Sequence, residues 1–192
     1  MPGDWLAASR TEVAADRILD AAAELFARQD AASVGMNEIA RAAGCSRATL
    51  YRYFENREAL HTAFVNREAY RLNHELGNEV RDIADPGERL VTGITTALRM
   101  VRNNPALASW FAMTERPIGG DMAERSEVIE ALTAAFVTSL GSNDPAAVDR
   151  RARWLVRVIT SLLMFPGRDA ADERQMLEEF VVPNVIGAFV ES

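Results

Sequence analysis

The chain has 192 residues, 48% of them hydrophobic, a formal net charge of −7 and one cysteine, Cys45, so it can bury a substantial core in one large or two small domains. No run approaches the roughly eighteen apolar residues of a membrane span, the first residues lack the apolar stretch of a secretory leader, and a lone cysteine excludes an internal disulfide framework. A cytoplasmic protein with no membrane partner is expected, and with only His61, His74 and Cys45 as soft ligands, neither a metal nor another cofactor.

Apolar residues recur at three- and four-residue intervals and no strand-like alternation stands between turn signals, so an all-α fold is expected. A first helix is predicted from about Glu12 to Gln29, with Ile18, Leu19, Ala22, Leu25 and Phe26 on one stripe. A short helix over Asn37 to Ala43 stops at Gly44, which tolerates a left-handed C-terminal conformation. Ser46 caps a third helix running to about Phe54, and Asn56 caps a longer one reaching about Gly77. After the break at Asp85-Pro86-Gly87 come helices over Glu88 to Asn103 and, restarted by Asn104-Pro105, through Thr114. Pro117, Gly119 and Gly120 end that helix, and three more are predicted over Met122 to Leu140, Ala146 to Met164, and Asp172 to Val190, the last kinked at Pro183.

The informative stretch is NEIARAAGCSRATLYRYFENREAL, Asn37 to Leu60. Two short helices meet at a turn made by Gly44, Ala40 is small where they approach, and Ile39 and Leu50 face inward. That is the geometry of a helix-turn-helix whose second helix enters the major groove of DNA. On that helix Leu50 and Phe54, with Tyr53 beside them, lie toward the core. The opposite face displays Arg47, Ala48, Tyr51 and Arg52, with Thr49 at its edge. Arginine reads guanine through two hydrogen bonds, Ala or a Thr methyl touches a thymine methyl, and Tyr, Thr and Arg also bond phosphate oxygens. Arg57 opens a helix, where the macrodipole disfavours a cation, so it makes better sense as a phosphate contact than as a stabilising feature. The charge distribution agrees: from Arg41 to Arg57 four arginines stand against one glutamate, a net of +3, which leaves −10 on the rest of the chain. Cys45 is a redox-switch candidate on paper, but with no resolving partner it reads better as a small hydrophobe filling the turn.

The stretch from Ile18 to Leu60 resembles the DNA-binding domain of TetR-family regulators. The resemblance rests on ILDAAAELF, on an IA-x-x-AG-x-S turn and above all on T-L-Y-x-Y-F-x-N-R-E-A-L, and covers about a quarter of the chain. It implies an N-terminal helix-turn-helix domain, residues 1–56, followed by a helical effector-binding and dimerisation domain, residues 57–192. It also implies base-reading positions at Arg47, Ala48 and Thr49, phosphate contacts at Tyr51, Tyr53 and Arg57, a variable groove position at Arg52, and a base or phosphate contact at Asn37. Asn37 stands where threonine is common, Cys45 where valine is common, and Arg57 where lysine is common, which exchanges a point charge for a fork.

Residues 86–192 show no catalytic constellation, so an enzyme is not expected. Large apolar side chains are dense there. Ordinary packing explains many of them, and an apolar pocket between helices is the functional reading, strengthened by the resemblance. Met100, Trp110, Phe111, Met113, Thr114, Phe136 and Trp154 are the expected lining. The last two predicted helices carry apolar residues on more than one face, which asks for a second surface beyond the chain's own core. Trp154, Val158, Leu162, Val181, Val185, Ile186 and Phe189 are therefore the expected interface of a homodimer, as the resemblance also implies. The reading that follows is a dimeric repressor held on a palindromic operator and released by a small apolar ligand of unnamed identity. A helical small-molecule carrier or enzyme with a vestigial DNA-binding head is the alternative from another class, and nucleoid-type DNA coating a third; salt-dependent binding to one palindrome separates them.

Overall fold

The computed structural model describes residues 5–112, 118–142 and 144–186, with side chains from Val13 onward. All regular structure among the described residues is helical. Helix α1 spans Trp5–Phe26, α2 Met36–Ala42, α3 Arg47–Tyr53 and α4 Arg57–Val80. They are followed by α5 Pro86–Asn103, α6 Pro105–Phe111, α7 Gly119–Arg125, α8 Glu127–Ser139, α9 Pro145–Met164, α10 Ala170–Met176 and α11 Val182–Val185.

Most starts follow from capping. Side-chain oxygens of Ser46, Asn56, Asp85, Asn104, Ser126, Asp144 and Asp169 accept backbone N–H groups that the first turn of each helix leaves unpaired. Proline stands in the first turn of α5, α6 and α9, where its missing N–H costs nothing. Helix α1 begins earlier than expected, since residues 5–11 hold no glycine or proline to stop it. Gly119 and Gly120 open α7 instead of ending α6. The single helix expected over Met122 to Leu140 is two. Ser126 divides it: its hydroxyl accepts the Ile129 N–H at 3.2 Å and donates to Asn66 Oδ1 on α4 at 3.0 Å.

The terminal region also departs from one kinked helix. Between α10 and α11 the chain makes a π-helical turn, Leu177–Val181, in which the Val182 N–H bonds the Leu177 carbonyl five residues back. Pro183 lacks the N–H that an α-helix would direct to its fourth preceding carbonyl, and the widened turn lies immediately before it.

Two apolar cores hold the chain together. The first joins α1, α2, α3 and the start of α4 to the end of α5 and to α6, through Phe26, Ile39, Leu50, Phe64, Leu107 and Trp110 among others. The second lies among α5, α8, α9, the π turn and α11. Val181 and Val185 belong to it, 4% and 0% exposed, so these two side chains are covered by their own protomer and are not available as a dimer surface.

Ion pairs clamp both halves. Arg67 on α4 meets Asp20 on α1 at 2.9 Å and Glu68 at 3.3 Å. Arg102 on α5 makes a fork to Glu173 on α10, at 2.8 and 2.7 Å, and also donates to the Leu162 carbonyl on α9 at 2.8 Å. The Arg102 hydrogen bonds hold the Glu173 carboxyl below the usual carboxylate range.

Candidate functional site

The helix-turn-helix forms as its residues dictate. Gly44 takes φ +66°, and beyond it the Cys45 N–H donates to the Ala40 carbonyl at 3.0 Å. Ser46 then starts α3 by accepting the Thr49 N–H at 3.0 Å. Leu50 and Phe54 are buried in the first core and Tyr53 is half-buried against it. The faces divide as expected: Arg47, Ala48, Tyr51 and Arg52 are exposed, and so is Asn37 on α2. Two arginines lie beside tyrosine rings, Arg47 at 5.3 Å from the Tyr51 centroid and Arg52 at 5.4 Å from Tyr53. Thr49 is half-buried, and its hydroxyl shares a 2.9 Å hydrogen bond with Ser46, so the cap occupies it. Cys45 is half-buried against the same core, as a small hydrophobe would be.

Arg57 has a local role that sequence reasoning missed. Its Nη1 donates to the Ala32 carbonyl at 2.9 Å and so ties the α1–α2 connection to the head of α4. The guanidinium remains exposed, with further N–H groups beyond that bond.

Behind the helix-turn-helix lies an aromatic junction. The Trp110 ring on α6 stacks on Phe64 at 5.5 Å and meets Phe26 and His61 edge-on at 5.3 and 4.9 Å. Trp110 is 1% exposed. Neither its Nε1 nor His61 Nε2 has a hydrogen-bond partner among the described residues. Burial, and then the charge of Arg57, push the His61 imidazole down to about 4 from 6.5. Trp110 thus packs α6 against α1 and α4 and, contrary to expectation, is not among the residues that line the cavity next to it.

A cavity of about 190 Å³ opens beyond it, between α4, α5, α7, α8 and α9 and the end of α6. Of the expected lining, Phe111 and Phe136 are present; Met100 and Trp154 are not, and Met113 and Thr114 lie outside the described residues. Phe136 reaches its place because α5 has a notch at Gly93, where a Cβ would stand 2.7 Å from the ring tip. The unforeseen wall is α4, through Ala69, Leu72, Asn73 and Leu76, a stripe at helical spacing. No charged side chain lines the cavity among the described residues, and Asn73, Thr133 and Thr160 supply its polar side-chain atoms. Trp154, 38% exposed, faces outward from α9, with Val158 and Leu162 half-buried on the same helix and Ile186 half-buried after α11; Phe189 lies outside the described residues.

The family described as bacterial regulatory proteins, tetR family, matches residues 18–64, which takes in the helix-turn-helix and the start of α4. The HTH-type transcriptional regulator Rv1255c of Mycobacterium tuberculosis is 67% identical over 185 residues, covering 96% of this chain and 92% of the relative. The chain belongs to the TetR family of transcriptional regulators. More distantly, the regulator BetI of Rhizobium meliloti is 30% identical over 127 residues, 66% of this chain and 60% of that protein. The TetR fold also emerges from solved structures. RolR in complex with resorcinol superposes with a TM-score of 0.72 at 17% identity, covering 96% of this chain and 93% of RolR. The Thermus thermophilus repressor FadR in complex with lauroyl-CoA gives 0.63 at 21% identity, covering 88% of this chain and 94% of FadR. Among the described residues no helix is long and apolar enough to cross a membrane.

Proposed function

We propose that this TetR-family regulator is a homodimeric repressor that grips a palindromic operator and lets go when a small apolar molecule fills the cavity. Residues 1–56 form the reading head in this scheme and residues 57–192 the sensing and dimerising body. The observation that carries the reading is that one helix serves both ends. Helix α4 opens at Arg57 under the reading head and, three turns on, presents Ala69, Leu72, Asn73 and Leu76 to the cavity. A ligand that displaces this wall tilts the helix and alters the separation of the two reading heads. A two-fold dimer binds a palindrome only when its recognition helices lie about one DNA turn apart, roughly 34 to 36 Å. Resorcinol and lauroyl-CoA bound to the related folds RolR and FadR support a sensing role for the body.

The head supplies both kinds of contact. Arg47, Ala48 and Thr49 read bases, the last after its hydroxyl leaves Ser46. Asn37, Tyr51, Arg52, Tyr53 and Arg57 bind the backbone or the groove edge. The test is selection of bound fragments from a genomic DNA pool, followed by titration of the recovered site at several salt concentrations. A palindrome bound at least a thousandfold above random DNA is expected. Equal affinity for all fragments would leave a sequence-blind coating protein and overturn the reading.

A further inference from the structure

We infer that the effector is an uncharged, compact molecule of about ten carbon atoms with at most one neutral oxygen, which the Thr160 hydroxyl receives. This deepens the proposed sensing role and rests on it. Size follows from volume. An apolar cavity of about 150 Å³ takes up benzene, so about 190 Å³ holds a modestly larger ring system with short alkyl branches. Charge follows from the walls. Leu72, Ile94, Phe136, Leu155 and Ile159 are typical of them, and no lining residue among those described offers a cation to a carboxylate or phosphate. An ionised group moved from water into such a site loses its hydration and gains no charged partner among the described residues, a cost of several kcal/mol per ion. A fatty-acyl thioester of coenzyme A cannot be enclosed by a cavity of this volume and meets no charge complement among the described residues.

The polar end follows from the hydrogen bonds. The Thr133 hydroxyl is already spent on the Ile129 carbonyl, at 2.7 Å. Asn73 stands on the exposed side of α4, where water satisfies it. Thr160 is half-buried, lines the cavity, and makes no hydrogen bond among the described residues. Its methyl is directed to α7, where a Cβ on Gly120 would stand 3.1 Å from it. A hydroxyl on a hydrocarbon wall is a specific mark for one neutral donor or acceptor.

The test uses three probes of nearly one shape: p-cymene, 4-isopropylbenzyl alcohol and 4-isopropylbenzoate at pH 8, with lauroyl-CoA as a fourth. Binding to the full chain is read by calorimetry and by the shift in melting temperature, independently of DNA. The alcohol should bind tightest, p-cymene within about tenfold of it, and the benzoate at least a hundredfold more weakly. Thr160→Val, which preserves shape, should cost the alcohol about tenfold and leave p-cymene unchanged. Ala97→Leu should fill the cavity and abolish both. Tighter binding of the benzoate or of lauroyl-CoA, no binding by any probe, or an alcohol affinity indifferent to either substitution overturns the inference. Operator binding by the ligand-free protein, measured on the same samples, separates the two claims. If the probes bind but no operator does, the ligand class survives and the repressor reading falls.

Discussion

Arg47 and Arg57 are both exposed arginines of the reading head, yet their surroundings set them apart. Arg47 stands at the first position of α3 with no tie to the backbone among the described residues, lying beside Tyr51. Arg47→Ala should cost about 1–3 kcal/mol of operator binding and relax preference at one base position per half-site. Arg57→Ala should weaken all sequences alike and lower the salt slope by about 1. Identical sequence profiles and salt slopes for the two variants would show the division of roles to be wrong. Nearly all of this face was legible beforehand, because the inward Leu50 and Phe54 fix where every other α3 side chain points. The two ties that were not legible, Thr49 to Ser46 and Arg57 to Ala32, depend on rotamers and on a loop carbonyl that no periodicity encodes. His61 carries a second prediction at this scale. Its folded-state pKa lies at about 4, below the ordinary 6.5, so between these values the unfolded chain holds more protons than the folded one. Stability therefore falls as pH drops from about 6.5 to about 4, by up to about 3 kcal/mol, and this contribution is constant above and below that window. His61→Leu should flatten that segment of a urea-denaturation series. If the variant and the wild type lose the same stability between pH 7 and pH 4.5, the buried imidazole is not the cause.

At the scale of elements, α6 joins the first core to the cavity through adjacent residues. Trp110 fills the aromatic junction with Phe26, His61 and Phe64, and Phe111 borders the cavity. A seven-residue helix has few hydrogen bonds of its own, so its position is set by what these two rings touch. Trp110→Ala should cost about 3–5 kcal/mol and lose DNA binding along with the fold. Phe111→Ala should leave ligand-free operator affinity within about threefold of wild type and shift the ligand concentration needed for release. A Trp110→Ala protein with an unchanged melting temperature would remove the junction from the account. The proline-bounded shape of α6 was visible in Asn104-Pro105, but not which ring faces the cavity, since neighbouring residues on so short a helix point about 100° apart. The division at Ser126 and the π turn before Pro183 were hidden for a related reason. Each is settled by a partner distant in sequence or by a backbone adjustment; the polar run Glu124 to Glu127 marks the first place without saying that the helix stops there, and the apolar pattern runs through the second without a break.

For the whole molecule, the dimer surface must be sought on what the protomer leaves uncovered. The apolar terminal segment was expected to need more than one neighbour, and Val181 and Val185 spend their faces on the protomer's own second core. The outward face of α9 remains, where Trp154 is 38% exposed and Val158 and Leu162 half-buried, with Phe165 just past its end 61% exposed and Phe180 of the π turn 58% exposed. Residues 154, 158 and 162 follow helical spacing, so one stripe runs along the second half of α9, and Phe165 follows directly on its last turn. A two-fold axis beside it would place each protomer's stripe against its partner's, as the interface of a dimer requires. Substitutions on the two sets should then fail differently. Trp154→Glu buries a charge only when two protomers meet, so it should give a folded monomer with wild-type helicity that binds the operator at least tenfold more weakly. Val185→Arg forces an unpaired charge into the protomer's own core and should lower the melting temperature at every protein concentration. Light scattering and circular dichroism together distinguish the outcomes. A dimer that survives Trp154→Glu, or a Val185→Arg protein that is folded and monomeric, would move the interface back to the terminal helices.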